Sequence, residues 1–332
     1  MSTSRWSWRR IITSPYFTFG VTIVLFLILY IVGVTSFRGF SKPQVFFNLF
    51  IDNATVIMLA VGITFVLITG NIDLSGASVV AFSCMLAAKL LRDTALPIAV
   101  VLTIILVFAT LFGYLQGFLI TKFGLQSYIV TLAGQFLLRG ATAMISVDTI
   151  DITRPLFVKA ATLRVPIFGA GFVSLGVVIA IAALIIGTFV LRKTTFGRNL
   201  YATGGNVQSA SLMGIPVEKT KRLAYTVSGF AAGLGGILFS LTMLSGYTLH
   251  ALGMEIDAIS SSVIGGTLLS GGVAFLPGTL FGVMIQGVIQ TLINFQGNLS
   301  AWWTRIVIAA LLCLAIVFQS LIQRNRERVR GR

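Results

Sequence analysis

Apolar residues in this chain come in runs, one after another, from Tyr16 to beyond Trp303. Each run is about twenty residues long, which as a helix matches the ~30 Å hydrocarbon core of a bilayer. Charged residues make up 10% of the 332 residues, against roughly 25% in soluble domains. Such a chain has too little polar surface to be wetted in the usual way. The alternating ten-residue segments of an outer-membrane barrel are not the pattern here. The expectation is an all-α integral membrane protein forming one transmembrane domain over residues 1–332.

Ten spans are expected, near 16–36, 48–69, 76–92, 96–120, 126–146, 171–191, 223–245, 255–273, 277–295 and 302–321. The third and eighth are short or polar, which leaves nine or eleven as alternatives. The first run lacks a small-residue cleavage pattern and reads as an uncleaved span. An even count puts both termini on one side. With the termini inside, fifteen Lys and Arg residues fall inside and six outside. That bias is the positive-inside signature, so both termini are expected in the cytoplasm. It also accounts for the net charge of +15 without nucleic acid.

Several chemistries are excluded by what the chain lacks. No phosphate-binding G-x-x-x-x-G-K-[ST] loop, H-E-x-x-H or G-x-S-x-G is found. The two cysteines, Cys84 and Cys313, lie in apolar runs, and His250 is the single histidine. That inventory offers neither a metal site nor histidine catalysis. The spans hold no Asp/Glu/His chain for a proton relay. A transporter of this kind conducts passively or draws energy from a partner.

Two polar segments stand out. The stretch 196–222, FGRNLYATGGNVQSASLMGIPVEKTKR, is the largest inside loop. Asn206 is a good helix N-cap, and Gly214-Ile215-Pro216 a stop about two turns later. The other segment, about 147–170, is the largest outside loop. The two suggest docking on both faces, or plain connectors.

Polar residues also interrupt the spans. The turn Gly70–Gly76 carries Asp73, either a cap for the third span or a group at the inner mouth of a pathway. The run 255–272 is rich in Ser and Gly, which fits a broken or closely packed helix. Glu255 and Asp257 do not share a helical face; they read as solvated acids at the helix start or as substrate contacts. Arg139 snorkels outward or faces a pathway. Trp302 and Trp303 fit an aromatic belt better than sugar stacking. Asn53, Gln135, Thr267 and Gln286 are the candidates for lining a polar route, or for interhelical hydrogen bonds. The match of Phe112–Gly117 to Phe281–Gly287 hints at an inverted repeat.

Three stretches carry a family resemblance over nearly the full chain. Gly70–Ser78 is similar to Gly-Gly-Ile-Asp-Leu-Ser-Val-Gly-Ser, with Asn71 and Gly76-Ala77 as departures. Ala202–Ile215 is similar to Ala-Ile-Gly-Gly-Asn-x-x-Ala-Ala-x-x-x-Gly-Ile, with Ser209 replacing an Ala. Val263–Gly272 is similar to Val-Ile-Gly-Gly-Thr-x-x-x-Gly-Gly. In this order they resemble the permease subunits of bacterial ABC sugar importers of the ribose/galactose/xylose class. A narrower resemblance, over Gly266–Val273 and Gly278–Thr304, is to one permease chain of a galactofuranose importer.

The resemblance implies a non-enzymatic transport subunit of the bacterial inner membrane. It implies a partner ATPase that holds ATP and Mg, with no cofactor on this chain. It further implies a second, different permease, a periplasmic sugar-binding protein and surrounding membrane lipid. It makes the loop helix, about Asn206 to Gly214, the coupling helix that rests on the ATPase. Val207, Ala210, Leu212 and Met213 would supply its apolar contact, and Gly204-Gly205 the sharp turn before it.

Overall fold

The computed structural model describes residues 15–167, 171–297 and 302–330. Arg5, Arg9, Arg10, Arg332 and Ser300-Ala301 of the last motif lie outside the described residues, as do 168–170 of the loop 147–170 and Gly331. The chain runs α1 (Pro15–Ser36), α2 (Pro43–Ile68), α3 (Gly76–Asp93), α4 (Ile98–Phe123) and α5 (Ser127–Ile145). Next come β1 (Ile150–Asp151), α6 (Pro155–Ala161), β2 (Arg164–Ile167) and β3 (Gly171–Ser174). Then follow α7 (Leu175–Lys193), α8 (Thr195–Gly205), α9 (Val207–Leu212) and α10 (Val217–Met243). The chain ends with β4 (Ser245–Gly246), α11 (Met254–Ile264), α12 (Leu276–Gln296) and α13 (Trp302–Arg330).

Among the described residues, seven helices are long and apolar enough to cross a bilayer: α1, α2, α4, α5, α7, α10 and α12. The other three expected spans have local reasons to differ. In α3, the charges gather at the C-terminal end, where Asp93 pairs with Lys89 at 2.6 Å and Arg92 at 2.7 Å. The eighth is broken: α11 stops after 11 residues, and 265–275 is not helical. In α13, only the part up to Val317 is an apolar run.

Two other expected boundaries move. Residues 171–174 are strand, because β3 pairs antiparallel with β2. Gln44 fixes that ribbon by exchanging hydrogen bonds with the Phe172 backbone. Helix α10 begins at Val217 rather than 223, so Lys219, Lys221 and Arg222 are helical. Pro216 sets its start, and nothing between 217 and 223 breaks a helix.

Helix α2 is the axis of the bundle, buried along nearly its whole length. Helix α10 packs against α4, α2 and α3. Lipid is as apolar as a leucine side chain, so close packing rather than hydrophobic transfer joins these helices. Glycines set the spacing: a Cβ at Gly113 of α4 would strike the Tyr225 carbonyl of α10. The loop 147–170 is also anchored. Ile150, Ile152 and Phe157 are buried, β1 pairs with β4, and Arg154 donates to the carbonyls of Leu91 and Thr94.

Candidate functional site

Within the loop 196–222 the sequence leads to two helices where one was expected. Thr194 caps α8 by accepting from Gly197 N. Asn206 then ends α8 and caps α9, its Oδ1 accepting from Ser209 N at 2.8 Å. Helix α9 closes with Gly214 at φ +76°, Ile215 N donating to Ala210 O and Gly214 N to Ser211 O. That pair of bonds is the glycine-terminated Schellman stop. Val207, Leu212 and Met213 are exposed, with Leu212 90% exposed. Ala210 is the exception to the expected contact surface: it is fully buried against the chain itself.

Gly204 and Gly205 have a different reason from the one expected. They are the last residues of α8, not a turn. A Cβ on Gly204 would collide with the Ile68 carbonyl at the end of α2 and crowd Gly272 N. Gly272 N donates to that same Ile68 O at 2.8 Å. Gly272, at φ +75°, in turn abuts the Gly205 backbone. Three chain segments, the ends of α2 and α8 and the loop 270–272, therefore meet main chain to main chain. No side chain fits between them.

Asp73 sits beside this junction as a structural tie. Its Oδ1 accepts from Ser75 N at 2.9 Å and Ser75 Oγ at 2.7 Å, and its Oδ2 from Ser228 Oγ of α10 at 2.7 Å. It is buried, and its turn is joined to α10 again by the Tyr225 hydroxyl, which donates to Ile72 O.

At the opposite ends of α2 and α12 lies a cavity of about 470 Å³. Asn53 and Gln286 line it together with Asp52, Asp257, Gln290 and Arg305. Asn53 donates its amide to Leu49 O at 2.9 Å, and Gln286 to Asp257 O at 3.1 Å. Arg305 donates to Leu252 O at 2.8 Å. The lining mixes acceptors and donors with Phe239 and Val56. Such a wall suits a neutral ligand with many hydroxyls, which offers both donors and acceptors. Asp52, Gln290 and Arg305 are site residues that sequence reasoning missed. The i, i+4 step from Gln286 to Gln290 was the available signal.

The other two pathway candidates lie elsewhere. Gln135 donates to Glu255 Oε1 at 2.9 Å. Thr267 is buried in the loop after α11, its N–H donating to Ser262 O at 2.9 Å. Glu255 is thus not a solvated acid but 8% exposed. Arg139 does not snorkel: its Nη1 donates to the carbonyls of Thr248 and His250, at 3.2 and 2.6 Å. The two have separate causes: Gln135 of α5 stands against Glu255, whereas the loop 244–253 folds back over α3, where Cys84 Sγ donates to Ser245 O, and its carbonyls hold Arg139. Burial lowers the His250 pKa below its ordinary value, and the Arg139 charge adds to that. Trp302 and Trp303 are exposed, as a belt requires.

A family model described as "Branched-chain amino acid transport system / permease component" matches residues 45–316. The chain is 43% identical to the inner membrane ABC transporter permease protein YjfF of Escherichia coli, over 92% of this chain and 94% of that one. It is 33% identical to the fructose import permease protein FruG of Bifidobacterium longum, over 90% and 89%. It is also 33% identical to the ribose import permease protein RbsC of Haemophilus influenzae, over 89% and 90%. No solved structure matches. With most of its length matched and its multi-helical membrane fold in agreement, the chain belongs to this family of transport-system permease components.

Proposed function

We propose that this chain is the membrane-spanning permease subunit of an ATP-driven importer of monosaccharides in the bacterial inner membrane. The α8–α9 end and both termini face the cytoplasm, and the cavity opens toward the periplasm. A separate ATPase docks on α9, with Val207, Leu212 and Met213 as its contact and Asn206, Ala210 and Gly214 holding the helix in shape. Gly204 and Gly205 pass the motion of α9 to α2 and to the loop 270–272. A periplasmic binding protein delivers sugar to the cavity, and a second, different permease completes the pathway.

The observation that carries this reading is α9 itself. A six-residue helix capped at both ends, presenting Val207 and Leu212 among exposed polar residues and keyed at its base into the bundle, is built to receive force rather than to connect spans. The absence of an ion relay in the sequence supports an external energy source.

The sugar we propose is galactofuranose, supported by the resemblance over Gly266–Val273 and Gly278–Thr304. A second reading is favoured by relatives named for fructose, ribose and arabinose import: one of these pentoses or hexoses. Affinity purification of the chain from its native membrane, followed by mass spectrometry, tests the assembly. An ATPase and a second permease are expected with it; recovery of the chain alone in mild detergent defeats the proposal. Binding of furanose and pyranose sugars to the co-purified binding protein then decides the substrate. Gly214→Asp sets a charge on the docking side and is expected to leave membrane insertion intact while abolishing ATPase co-purification.

A further inference from the structure

An apolar groove of about 450 Å³ runs along the α4–α10 seam on the outside of the bundle. Val107, Leu111 and Tyr114 form one wall, and Thr226 and Phe230 the other. Its walls are almost wholly apolar, apart from the hydroxyls of Thr110, Tyr114 and Thr226, and both threonines donate to their own helix.

One end of the groove is charged. Arg222 lies one turn before Thr226 on the same face of α10. Its guanidinium sits 5.3 Å from the Phe118 ring centre and 5.8 Å from that of Tyr114. Arg222 Nε is buried and makes no hydrogen bond. Lys219, three residues earlier, and Lys122 of α4, four residues after Phe118, extend the same side and are exposed. Glu218 and Lys221 turn away toward a separate crevice at the start of α5.

The level is right for a bilayer boundary. Tyr225, three residues after Arg222, bonds to the turn that ends α2, so Arg222 stands within about one helical turn of where the apolar span of α2 stops. From Arg222 to Phe230 is eight residues, about 12 Å of helix rise into the apolar zone. A cation at the headgroup level, with an apolar slot leading inward from it, matches one ligand class.

We propose that this groove binds an anionic phospholipid. The phosphate accepts from Arg222, with Lys219 and Lys122 adding charge attraction, and an acyl chain lies between Val107, Leu111 and Phe230. The inference does not depend on which sugar is carried.

The test uses the full-length permease in mild detergent, native mass spectrometry, and added phosphatidylglycerol or phosphatidylcholine of equal chain length. The wild type is expected to retain the anionic lipid several-fold over the zwitterionic one. Arg222→Gln is expected to lose that preference. Val107 is 60% exposed, so Val107→Trp keeps the fold and fills the slot; it is expected to reduce retained phosphatidylglycerol even if Arg222→Gln proves unstable. Equal retention of both lipids by the wild type, or unchanged phosphatidylglycerol retention in Val107→Trp, overturns the proposal. So does efficient cross-linking of a Val107→Cys variant to a second permease chain, which would make this face a protein contact.

Discussion

A single methyl group is enough to probe the junction at the base of α9. Gly204→Ala drives a Cβ into the Ile68 carbonyl, and main chain cannot move aside as a side-chain tip can. Overpacking of this kind costs about 1–3 kcal/mol, and the melting temperature of the purified permease is expected to fall accordingly. Gly205→Ala is the control, since nothing lies within 4 Å of its Cβ position; an equal fall in both variants would remove the steric account. Ser228→Ala takes away the α10 donor to Asp73 Oδ2. Leaving a buried carboxylate oxygen short of a donor costs about 1–3 kcal/mol, so thermal unfolding should again be earlier, and a stability within error of wild type would show the tie to be idle. In the cavity, Asp52→Asn keeps shape and removes an acceptor charge. Loss of one sugar hydrogen bond, about 1 kcal/mol, corresponds to roughly fivefold slower uptake at limiting sugar. Unchanged uptake by that variant argues that sugar does not touch Asp52.

At the scale of elements, the sequence was most legible where polarity changed over one or two residues. Asn206 as a cap and Gly214 as a stop are visible because each is a local chemical requirement. The stop of α11 at Gly265 is legible for the same reason, as a glycine-rich run in a span. What the sequence hid is what depends on partners far along the chain. Glu255 looks like a surface acid until the fold sets Gln135 against it, 120 residues away. Gly204 looks like a turn glycine until Ile68 and Gly272 arrive beside it. The folded-back loop 244–253 was equally invisible, and it carries the titratable His250. His250 is held below the ordinary value of 6.5 mainly by burial, with Arg139 second. A group whose folded pKa is depressed in this way and is neutral when deprotonated favours the fold above its unfolded pKa. That contribution is lost as pH falls from about 6.5 through the lower folded value. Melting temperature is therefore expected to drop on acidification, and less so in His250→Gln. A variant that follows the wild-type curve would assign the acid sensitivity to another group.

For the whole molecule, the proposed docking helix and the cavity stand at opposite ends of the same rods. Helix α2 reaches the junction at Ile68 and the cavity at Asp52, and α12 reaches the cavity from the far side of the loop 270–272. On the proposed function, force applied to α9 arrives at the cavity through helices that move as units, without a chain of side-chain switches. Two glycines inserted between Gly205 and Asn206 would keep the docking surface and slacken its base. The expected result is an ATPase that still co-purifies while uptake falls roughly tenfold, within the usual range for a lost coupling between sites. Full uptake after that insertion would mean the drive enters elsewhere. The junction is made of peptide groups alone, and every polypeptide has the same peptide groups. A segment carrying α8 and α9 can therefore be exchanged between permeases as a module, provided its glycines travel with it and the recipient keeps the seats of Phe196 on Phe65, Tyr201 on the Ala274 carbonyl and Leu200 in the core. Such transplants would let one importer's membrane half be driven by another's motor, with the sugar it accepts left as it was.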